Sequence, residues 1–580
     1  MTALLDVTHS LRGQRWIGPG IEQQRLAEAM AQASSLPLPL CATLVRLGVS
    51  PDQTAAYLAP AIRDLLPDPR TLRDMERAAT RFRTSIARKE PIAIFADYDV
   101  DGAASAALLL DWLRHCGQDA TLYVPDRIEE GYGPNVPAME HLAQNHGLIV
   151  CVDCGTLSHE PIAAAKGADV LVLDHHLGAE TLPPAYAVVN PNRQDETGDL
   201  SHLCAAAVVF LFLVECNRQN RETGAATPNL MNALDLVALA TVADVAPLTG
   251  VNRAFVRQGL RVMSQRARPG LAALADAARL DTAPRAYHLG YVLGPRVNAG
   301  GRIGRADLGA RLLSTRDPHE ARAIADHLDQ LNKDRREVED HVRAAAMAQA
   351  EERGLDGPLA WAAGDGWHPG VVGIVASRMK EATHRPSIVI GFEDGLGKGS
   401  GRSVKGVDLG SVIHRAAAEG LLERGGGHKM AAGLTVTAEK LDAAMARIGE
   451  LILRQGVDLD APRELRVDSV IMPGAATLEL LDQIEAAGPY GAGAPAPRFV
   501  FPGQIISFAK QVGSNHLKLR FGDGTYNLDA IAFGAFDNEM GPRLMDHGGR
   551  RIHLAGQLDL NQWQGRKSVQ LRIDDAALPE

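Results

Sequence analysis

The 580-residue chain has few cysteines, no long apolar run and no excess of positive charge. Six cysteines are too few to cross-link a chain of this length, so no disulfide framework is expected. The sequence has no run of about 18 apolar residues that could span a bilayer. Its N-terminus also lacks the continuous apolar segment of a signal peptide. These absences predict a soluble cytoplasmic protein with no membrane association.

The formal net charge of −10 argues against a generic nucleic-acid binder, because phosphate contacts need local positive potential. The charge is unevenly distributed, however. Residues 284–305 include Arg285, Arg296, Arg302 and Arg305 and no acidic residue. Clustered aspartates that hold divalent cations would also be neutralised in use. The overall charge therefore does not decide between classes of partner.

Cys151 and Cys154 form a CxxC pair, which raises the possibility of a zinc site. A tetrahedral zinc site needs a second pair of ligands at matching spacing, and the sequence offers none. The residue between the two cysteines, Asp153, is the more informative one.

The chain divides into segments of different character, and at about 150 residues per domain its length predicts three or four domains. Apolar strands that alternate with helices predict a parallel α/β sheet in the first half. A charged segment without internal Gly or Pro predicts a long connecting helix, and successive short strands near the C-terminus predict an OB-like β-barrel. The expected divisions are a helical N-terminal segment (1–70), an α/β domain (71–315), the connector helix (316–352), a smaller α/β domain (353–460) and the barrel (461–580).

Acidic and histidine residues follow four apolar stretches, each where a strand of the first domain should end. Asp97, Asp99 and Asp101 follow PIAIF, and their spacing places them on one side of an extended chain. The other three stretches are followed by Asp153, by Asp174, His175 and His176, and by Asp244. Because functional groups gather at the carboxyl ends of parallel strands, we expect these side chains to meet at one sheet edge.

The residue types at this edge favour a divalent-metal site. A single Asp-His-His or DxDxD motif is often an ordinary strand end or a solvated turn, but four such clusters at equivalent places are harder to dismiss. Carboxylates with one or two imidazoles suit Mn²⁺ or Mg²⁺ better than zinc. Five or six ligating side chains are too many for one ion that keeps its waters, so two ions are expected. Two ions about 3.5–4 Å apart can clamp the attacking and leaving oxygens of a phosphoryl displacement.

The motifs DYDVDG, VDCG, DHH and ATVADVAPL resemble those of the DHH phosphoesterases. Longer stretches, including GPRVNAGGRIGRADLGARLL and GSGRSVKGVDLGSVI, resemble the RecJ family of bacterial single-strand-specific exonucleases, and GGGHKMAAGLTV is similar to the DHHA1 domain. The resemblance implies a parallel-sheet DHH domain joined by a long helix to a smaller α/β DHHA1 domain, followed by an OB-like barrel. The chain departs from the family at Ala96, where Gly is usual, and at Ala494 and Ala496, where GNPEP is usual.

The resemblance also implies roles at the metal site. The implied metal ligands are Asp99, Asp101, Asp153, His175 and Asp244, with Asp97 either ligating or orienting a neighbour. Asp153 is placed to bridge two ions, Mn²⁺ or Mg²⁺. Asp174 is expected to hold the tautomer of His175, and His176 to contact the scissile phosphate, with a water as the nucleophile.

Three further segments are expected to bind the nucleic-acid strand. A Gly-rich loop alone is more often a turn than a phosphate site, but the arginines in GPRVNAGGR suit phosphate. The implied strand-binding residues are Arg296, Asn298, Arg302, Ser400, Arg402 and His428. In the barrel, Trp563, Arg566 and Lys567 are candidates for base stacking and phosphate contact, with an ordinary hairpin as the even alternative.

The resemblance thus implies a single-stranded-DNA-specific 5′–3′ exonuclease that releases 5′-mononucleotides in DNA repair and recombination. Implied partners are a single-strand-binding protein and a RecQ-type helicase, and a monomer is expected. Two alternatives stay open: a phosphoesterase for oligonucleotides or cyclic dinucleotides, and a non-catalytic replication scaffold. The first class is usually much shorter, and the second loses the metal ligands that this chain retains.

Overall fold

The computed structural model describes residues 3–127, 130–563 and 565–579. It contains two compact units, each described separately below. One unit comprises Pro67–Ala246 with Gln258–Asp460, and the other comprises Met1–Leu66, Pro247–Arg257 and Ala461–Glu580. None of the helices in the described ranges combines the length and the apolar character needed to cross a membrane.

The first sheet has five parallel strands, as the alternation of strands and helices predicts. In spatial order they are Thr121–Tyr123, Ile92–Ala96, Leu148–Val152, Asp169–Leu173 and Ala187–Val189. Every residue of Ile92–Ala96 and of Leu148–Val152 is buried, which is why both strands are continuous apolar runs. The chain order reverses between these two strands, and a crevice at such a switch point is where open α/β sheets bind ligands.

Helices cover this sheet and extend beyond it. They are Met75–Ala87, Val100–His115, Val136–Ala143, His159–Ala164, Ala205–Thr223, Leu234–Ala243, Pro269–Ala277, Ala286–His288, Gly294–Ile303 and Leu308–Ser314. The helix Gly250–Ser264 is divided between the two units after Arg257. A π-helical turn, Leu289–Leu293, joins Ala286–His288 to Gly294–Ile303 without a break.

One expected strand is a helix. The apolar run before Asp244 forms the helix Leu234–Ala243, of which Leu234 to Thr241 are buried. An apolar run of this length does not distinguish a buried strand from a buried helix, because neither shows a polar face.

The expected long helix is present as Pro318–Arg353, 36 residues long. Asp317 caps its N-terminus by accepting a hydrogen bond from the backbone N–H of His319, and Pro318 occupies the first turn, where its missing N–H costs nothing. At 1.5 Å per residue the helix is about 54 Å long.

The second α/β domain has a mixed five-stranded sheet. Its strands, in spatial order, are Arg424–His428, Ala431–Thr437, Leu396–Arg402, Ser387–Glu393 and Ala360–Asp365, and its helices are Pro369–Thr383, Leu409–Ala418 and Leu441–Leu453. The first four residues of the segment GSGRS belong to the central strand Leu396–Arg402. A β-carbon at Gly397, Gly399 or Gly401 would lie 2.7–2.8 Å from a neighbouring side chain, so glycine allows this strand to pack closely.

The C-terminal strands close into a barrel, as expected for an OB-like fold. The barrel order is Phe499–Val512, His516–Gly522, Asn527–Ala532, Arg566–Ala577 and Arg551–Trp563, and the last strand pairs with the first. The short strand Ser469–Val470 pairs with Phe499–Val512, and the helices of this part are Leu478–Ala486 and Met540–Met545. The side chain of Trp563, a predicted stacking residue, lies outside what the structure describes.

The N-terminal segment belongs to the same unit as the barrel. Its helices are Ile21–Ser34, Leu38–Arg46, Thr54–Leu58 and Ile62–Leu65, and its strand Gln14–Ile17 pairs in parallel with Arg463–Arg466. Trp16 is fully buried and donates a 2.9 Å hydrogen bond from Nε1 to Oδ2 of Asp575, in the last barrel strand. The fold class expected from the sequence is thus confirmed.

Candidate metal centre

The first carboxylates lie where the strand Ile92–Ala96 turns into a helix. Asp97 follows the strand, and Asp99 caps the helix Val100–His115 by accepting hydrogen bonds from the backbone N–H groups of Asp101 (2.8 Å) and Gly102 (3.1 Å). Their spacing predicts that the three aspartates share one side of an extended chain. Instead, they surround a helix N-terminus. A β-carbon at Gly102 would lie 2.4 Å from the carbonyl oxygen of Asp97, so this turn requires glycine.

Asp101 is buried in the first turn of this helix. Its two carboxylate oxygens accept hydrogen bonds from the backbone N–H groups of Ala205 (2.7 Å) and Ala206 (2.8 Å), at the start of the helix Ala205–Thr223. Burial raises the pKa of Asp101, while nearby His175 opposes that shift. Its Oδ2 lies 3.7 Å from Nε2 of His175.

Asp153 lies after the strand Leu148–Val152 and has a φ of 60°, a region that residues other than glycine rarely adopt. Its carboxylate is buried, and Oδ1 lies 3.3 Å from Nε2 of His175 but has no hydrogen-bond partner among the described residues. Burial, and then the charges of Asp101 and Asp99, raise the pKa of Asp153 well above its usual range.

Asp174 holds His176 rather than His175, which corrects the expected role. Its Oδ1 lies 2.8 Å from Nδ1 of His176, and its Oδ2 accepts a hydrogen bond from the backbone N–H of Thr156 (3.0 Å). Burial is the largest single effect on both side chains and opposes their charged forms, but their hydrogen bond and mutual charge attraction, with the hydrogen bonds from Thr156 to Asp174, together outweigh it. The pKa of His176 is raised to about 9, and that of Asp174 is held well below its usual range.

Asp244 reaches the centre from the C-terminal end of the helix Leu234–Ala243. Its Oδ2 lies 3.8 Å from Nδ1 of His175, so this imidazole stands between Asp244 and Asp153. Burial, and then the charges of Asp101 and Asp99, raise the pKa of Asp244 to about 8. The next residue, Val245, has a φ of 60°, which is strained for a β-branched residue.

These side chains form three groups that share members. Within each group, the potential ligand atoms lie within 4.8 Å of one another. The groups are Asp97, Asp99 and Asp153; Asp153, His175 and His176; and Asp101, His175 and Asp244. Oδ1 of Asp97, like that of Asp153, is buried without a hydrogen-bond partner among the described residues. Buried carboxylates with unpaired oxygens and raised pKa values are stabilised in their charged form by a nearby cation, and the oxygen-rich set fits Mn²⁺ or Mg²⁺.

The segment GPRVNAGGR forms the helix Gly294–Ile303, not a Gly-rich loop. Its glycines allow close packing: a β-carbon at Gly301 would lie 2.8 Å from the side chain of Tyr98. Asn298 accepts a 3.0 Å hydrogen bond on Oδ1 from the backbone N–H of Val100, so it fixes the N-terminus of the helix that carries Asp101.

The predicted strand-binding arginines also have contacts within the protein. Nε of Arg296 donates to Oδ1 of Asp329 on the long helix (2.9 Å). Nη1 of Arg302 donates to the carbonyl oxygen of Gly370 (3.1 Å), at the start of the helix Pro369–Thr383. Arg302 thus connects the two α/β domains directly.

The residues expected from the second domain lie on two strands of its sheet. Nη1 of Arg402 donates to Oγ of Ser400 (3.0 Å) on the strand Leu396–Arg402. His428, at the end of Arg424–His428, is exposed, and its Nδ1 accepts a 3.3 Å hydrogen bond from the backbone N–H of Met430.

Tyr132 was missed by the sequence analysis. Its hydroxyl donates to the carbonyl oxygen of Asp153 (3.0 Å) and lies 3.1 Å from Nε2 of His176. Gly131 and Gly133 flank it with φ values of 88° and 72°. The GYG sequence, with two glycines that permit this geometry, was the available signal.

Arg127 was also missed. Its guanidinium lies 5.3 Å from the ring centre of Tyr98. Burial and then the charge of Arg127 lower the pKa of Arg302, to about 10, and that of Arg402. Arg127 thus destabilises the charges of both Arg302 and Arg402, which makes this region suited to an anion.

Two asparagines after the strand Ala187–Val189 hold the backbone of the histidine pair. Nδ2 of Asn190 donates to the carbonyl oxygen of His176 (2.8 Å), and Nδ2 of Asn192 donates to that of His175 (2.5 Å). No charge or spacing in NPNR indicates this role, which depends on the path of the loop.

Comparison with protein families matches three parts of the chain. The models described as "DHH family, N-terminal domain", "DHHA1 domain" and "RecJ OB domain" match residues 91–241, 356–453 and 467–575. The first match includes every candidate metal ligand except Asp244.

Relatives and solved structures match almost the whole chain. The protein "Single-stranded-DNA-specific exonuclease RecJ" of Dickeya dadantii is 39% identical over 545 residues, which are 89% of this chain and 92% of that protein. The protein of the same name from Escherichia coli is 37% identical over 94% of this chain and 97% of its own. The crystal structure of RecJ in complex with Mn²⁺ from Thermus thermophilus is 28% identical, with a TM-score of 0.80 over 98% of this chain and 80% of that one. With this sequence identity over nearly its full length, the chain belongs to the RecJ family.

Proposed function

We propose that the protein degrades single-stranded DNA by metal-dependent hydrolysis of phosphodiester bonds, from the 5′ end, with release of 5′-mononucleotides. The observation that carries this proposal is the set of three overlapping ligand groups at the switch point of the parallel sheet. The names of the relatives support the substrate class, and the Mn²⁺ and Mg²⁺ complexes of the Thermus thermophilus protein support divalent cofactors.

The proposed centre holds two ions between six side chains. The ligands are Asp97, Asp99, Asp101, Asp153, His175 and Asp244. Asp153 belongs to two of the three ligand groups, which suits the bridging position. When bound, the ions neutralise the clustered carboxylates, lower the pKa of a water and polarise the scissile phosphate.

Asp174 and His176 are proposed to act together on the phosphate. The hydrogen bond that Nδ1 of His176 donates to Asp174 keeps His176 protonated and orients its ring, so that Nε2 can donate to a non-bridging phosphate oxygen. Tyr132, whose hydroxyl lies near both Asp153 and His176, is proposed to fix their relative position.

The strand is proposed to be held by cationic and hydroxyl side chains of both α/β domains. Arg302, Ser400 and Arg402 are proposed to contact phosphates, with Arg296 and His428 nearby along the strand. Asn298 is proposed to contribute chiefly by positioning Val100 and the aspartates around it. A path that admits one strand only would explain single-strand selectivity. A single-strand-binding protein and a RecQ-type helicase as partners, and a monomeric state, are proposed from family resemblance.

The test uses a single-stranded oligonucleotide labelled in separate preparations at its 5′ and 3′ ends, with Mn²⁺ or with EDTA. Asp153→Asn removes a candidate bridging ligand with almost no change in shape. The matched control is Asp169→Asn, at the opposite end of the strand that leads to Asp174, where the carboxylate pairs with Arg81. The wild type and Asp169→Asn are expected to release the 5′ label first and as mononucleotide, and Asp153→Asn and EDTA to abolish release.

Each other outcome points to a different function. Release from short oligonucleotides alone would favour the oligonucleotide phosphoesterase. Strand binding without hydrolysis in Mn²⁺ would favour the scaffold. Equal rates on blunt duplex and single strand would contradict the proposed selectivity.

A further inference from the structure

Two tyrosines form an exposed stacked pair near the metal centre. The side chains of Tyr287 and Tyr291 have ring centres 5.0 Å apart and ring planes inclined by 23°. Tyr287 is 58% exposed and Tyr291 is 68% exposed. Aromatic residues make up only 4% of this chain, and burying large rings is normally favourable. Two rings that stack in solvent therefore call for a ligand.

The pair lies on the helix that carries the proposed strand-binding residues. Tyr291 is within the π-helical turn Leu289–Leu293, which continues directly into Gly294–Ile303 with Arg296 and Arg302. π-helical turns are rare and occur frequently at functional sites. The opposite face of the turn is anchored in the core, because Leu289 and Leu293 are buried.

Glycines bring this helix close to a metal-ligand segment. A β-carbon at Gly290 would lie 3.3 Å from Cγ1 of Val242, and one at Gly294 would lie 3.4 Å from Cβ of Ala243. Val242 and Ala243 are the two residues before Asp244. The turn that displays Tyr291 therefore packs against the end of the helix that delivers a carboxylate to the centre.

The segment that carries the pair is basic in sequence, which suits a polyanion. Residues 284–305 include four arginines and no acidic residue, in a chain whose net charge is −10. Two of these arginines pair with acids outside the segment, Arg296 with Asp329 and Arg305 with Asp307. An apolar protein segment would not need this cationic flank, whereas a nucleic-acid strand needs both phosphate contacts and stacking surfaces.

We propose that Tyr287 and Tyr291 form a base-stacking platform, on which one nucleobase of the single strand extends the two-ring stack while its phosphates run along the helix Gly294–Ile303. The inference rests on the proposed function for its substrate class. It assigns a role in strand positioning, because stacking is tolerant of base identity. It also favours an unpaired strand, since bases in a duplex already stack on one another.

The test compares Tyr287→Ala/Tyr291→Ala with the matched control Tyr287→Phe/Tyr291→Phe, which keeps both rings and removes only the hydroxyls. Binding of a fluorescent oligonucleotide is followed by anisotropy in EDTA, and KM and kcat are measured with Mn²⁺. Each protein is also given oligonucleotides in which one nucleotide in turn is abasic. A base–aromatic stack is worth roughly a 5- to 150-fold change in affinity.

The alanine pair is expected to raise Kd and KM by about tenfold or more, while the phenylalanine pair binds like the wild type. The affinity of the wild type should fall by the same factor when the nucleotide at one position is abasic. The affinity of the alanine pair should not fall further at that position. Unchanged melting temperatures would show that both variants are folded.

Other results separate this inference from the function it rests on. An alanine pair with wild-type affinity, or one that still responds to the same abasic position, overturns the platform and favours a protein partner for the tyrosines. If the wild type binds the strand but hydrolyses nothing, the proposed nuclease activity is wrong. The comparison of abasic oligonucleotides still tests the platform, because it measures binding alone. A wild type that binds no strand overturns both.

Discussion

At the residue scale, the centre concentrates negative charge that the protein alone does not compensate. Asp97 and Asp153 each have a buried carboxylate oxygen without a hydrogen-bond partner among the described residues, and burial raises the pKa of both well above the usual range. Such carboxylates destabilise the fold until a cation binds. At these positions, the carboxylates that bind the metal therefore also lower the stability of the metal-free protein.

Asp153→Asn is expected to stabilise the metal-free protein and abolish its response to metal. Removing one buried charge from the cluster should raise the free energy of unfolding by about 1 kcal/mol. The wild type should gain melting temperature on addition of Mn²⁺, since a ligand that binds only the folded state stabilises it. Thermal melts in EDTA and in Mn²⁺ check both effects. A variant that is less stable than the wild type in EDTA would contradict this account.

The raised pKa of Asp244, about 8, gives the metal-free protein a pH dependence. The unfolded chain releases this proton near pH 4, so between about pH 4 and 8 the folded state holds a proton that the unfolded state has lost. Stability from this group therefore falls as pH rises through that range and is constant above it. In EDTA, the melting temperature of Asp244→Asn minus that of the wild type should grow from pH 5 to 8 and then level off. A constant difference would contradict the raised pKa.

At the element scale, the helix Gly294–Ile303 depends on positions that lack a β-carbon. Gly301 faces the ring of Tyr98, in the segment that also holds Asp97 and Asp99. The contact holds the helix against the metal-binding turn, together with the hydrogen bond from Val100 to Asn298. A shift of this helix would move strand-binding and metal-binding residues relative to each other.

Gly301→Ala is expected to destabilise the protein by about 1–3 kcal/mol, because its methyl group overlaps the Tyr98 ring. The matched control is Gly433→Ala, in the strand Ala431–Thr437, where a β-carbon meets no atom within 4 Å. Denaturant unfolding and kcat with Mn²⁺ check the result. Equal losses at both glycines would indicate a backbone effect rather than the contact with Tyr98.

Sequence reasoning identified elements and residue types better than it identified partners. The strands before Asp97, Asp153 and Asp174 were predictable, because doubly covered strands are continuous apolar runs. The helix before Asp244 was not, since an apolar run fits either element. The pairing of Asp174 with His176, and the contacts of Tyr132, depend on how the loops after the strands fold back, and residue spacing carries no information about that.

At the scale of the whole molecule, one buried arginine connects distant segments of the unit that contains the barrel. The guanidinium of Arg253 donates to the carbonyl oxygens of Tyr57, Ala487, Gly488 and Pro489 and lies 3.8 Å from the ring centre of Tyr57. Burial lowers the pKa of Arg253. Its donors satisfy carbonyl groups from two distant segments, one at Tyr57 and one at Ala487 to Pro489. Arg253 itself is 234 residues from Ala487 in sequence.

Arg253→Met is expected to destabilise this unit by about 3 kcal/mol or more, because several buried carbonyl groups lose their donor. Arg551→Met, at an exposed position with a single contact to the carbonyl oxygen of Gly503, serves as the control and should be nearly neutral. Calorimetry should show one unfolding transition moving to lower temperature while the other stays in place. A parallel shift of all transitions would show that the two units unfold together.

The strand arrangement has a further consequence for solubility at high concentration. The barrel strand Phe499–Val512 pairs with both His516–Gly522 and Arg551–Trp563, so the ring of strands is closed and has no outermost strand. In the parallel sheet, the outermost strands Thr121–Tyr123 and Ala187–Val189 are only three residues long. Long free edges are the usual templates for intermolecular strand addition. Closure of the barrel and the short outer strands of the parallel sheet thus limit the backbone to which a neighbouring molecule could add a strand.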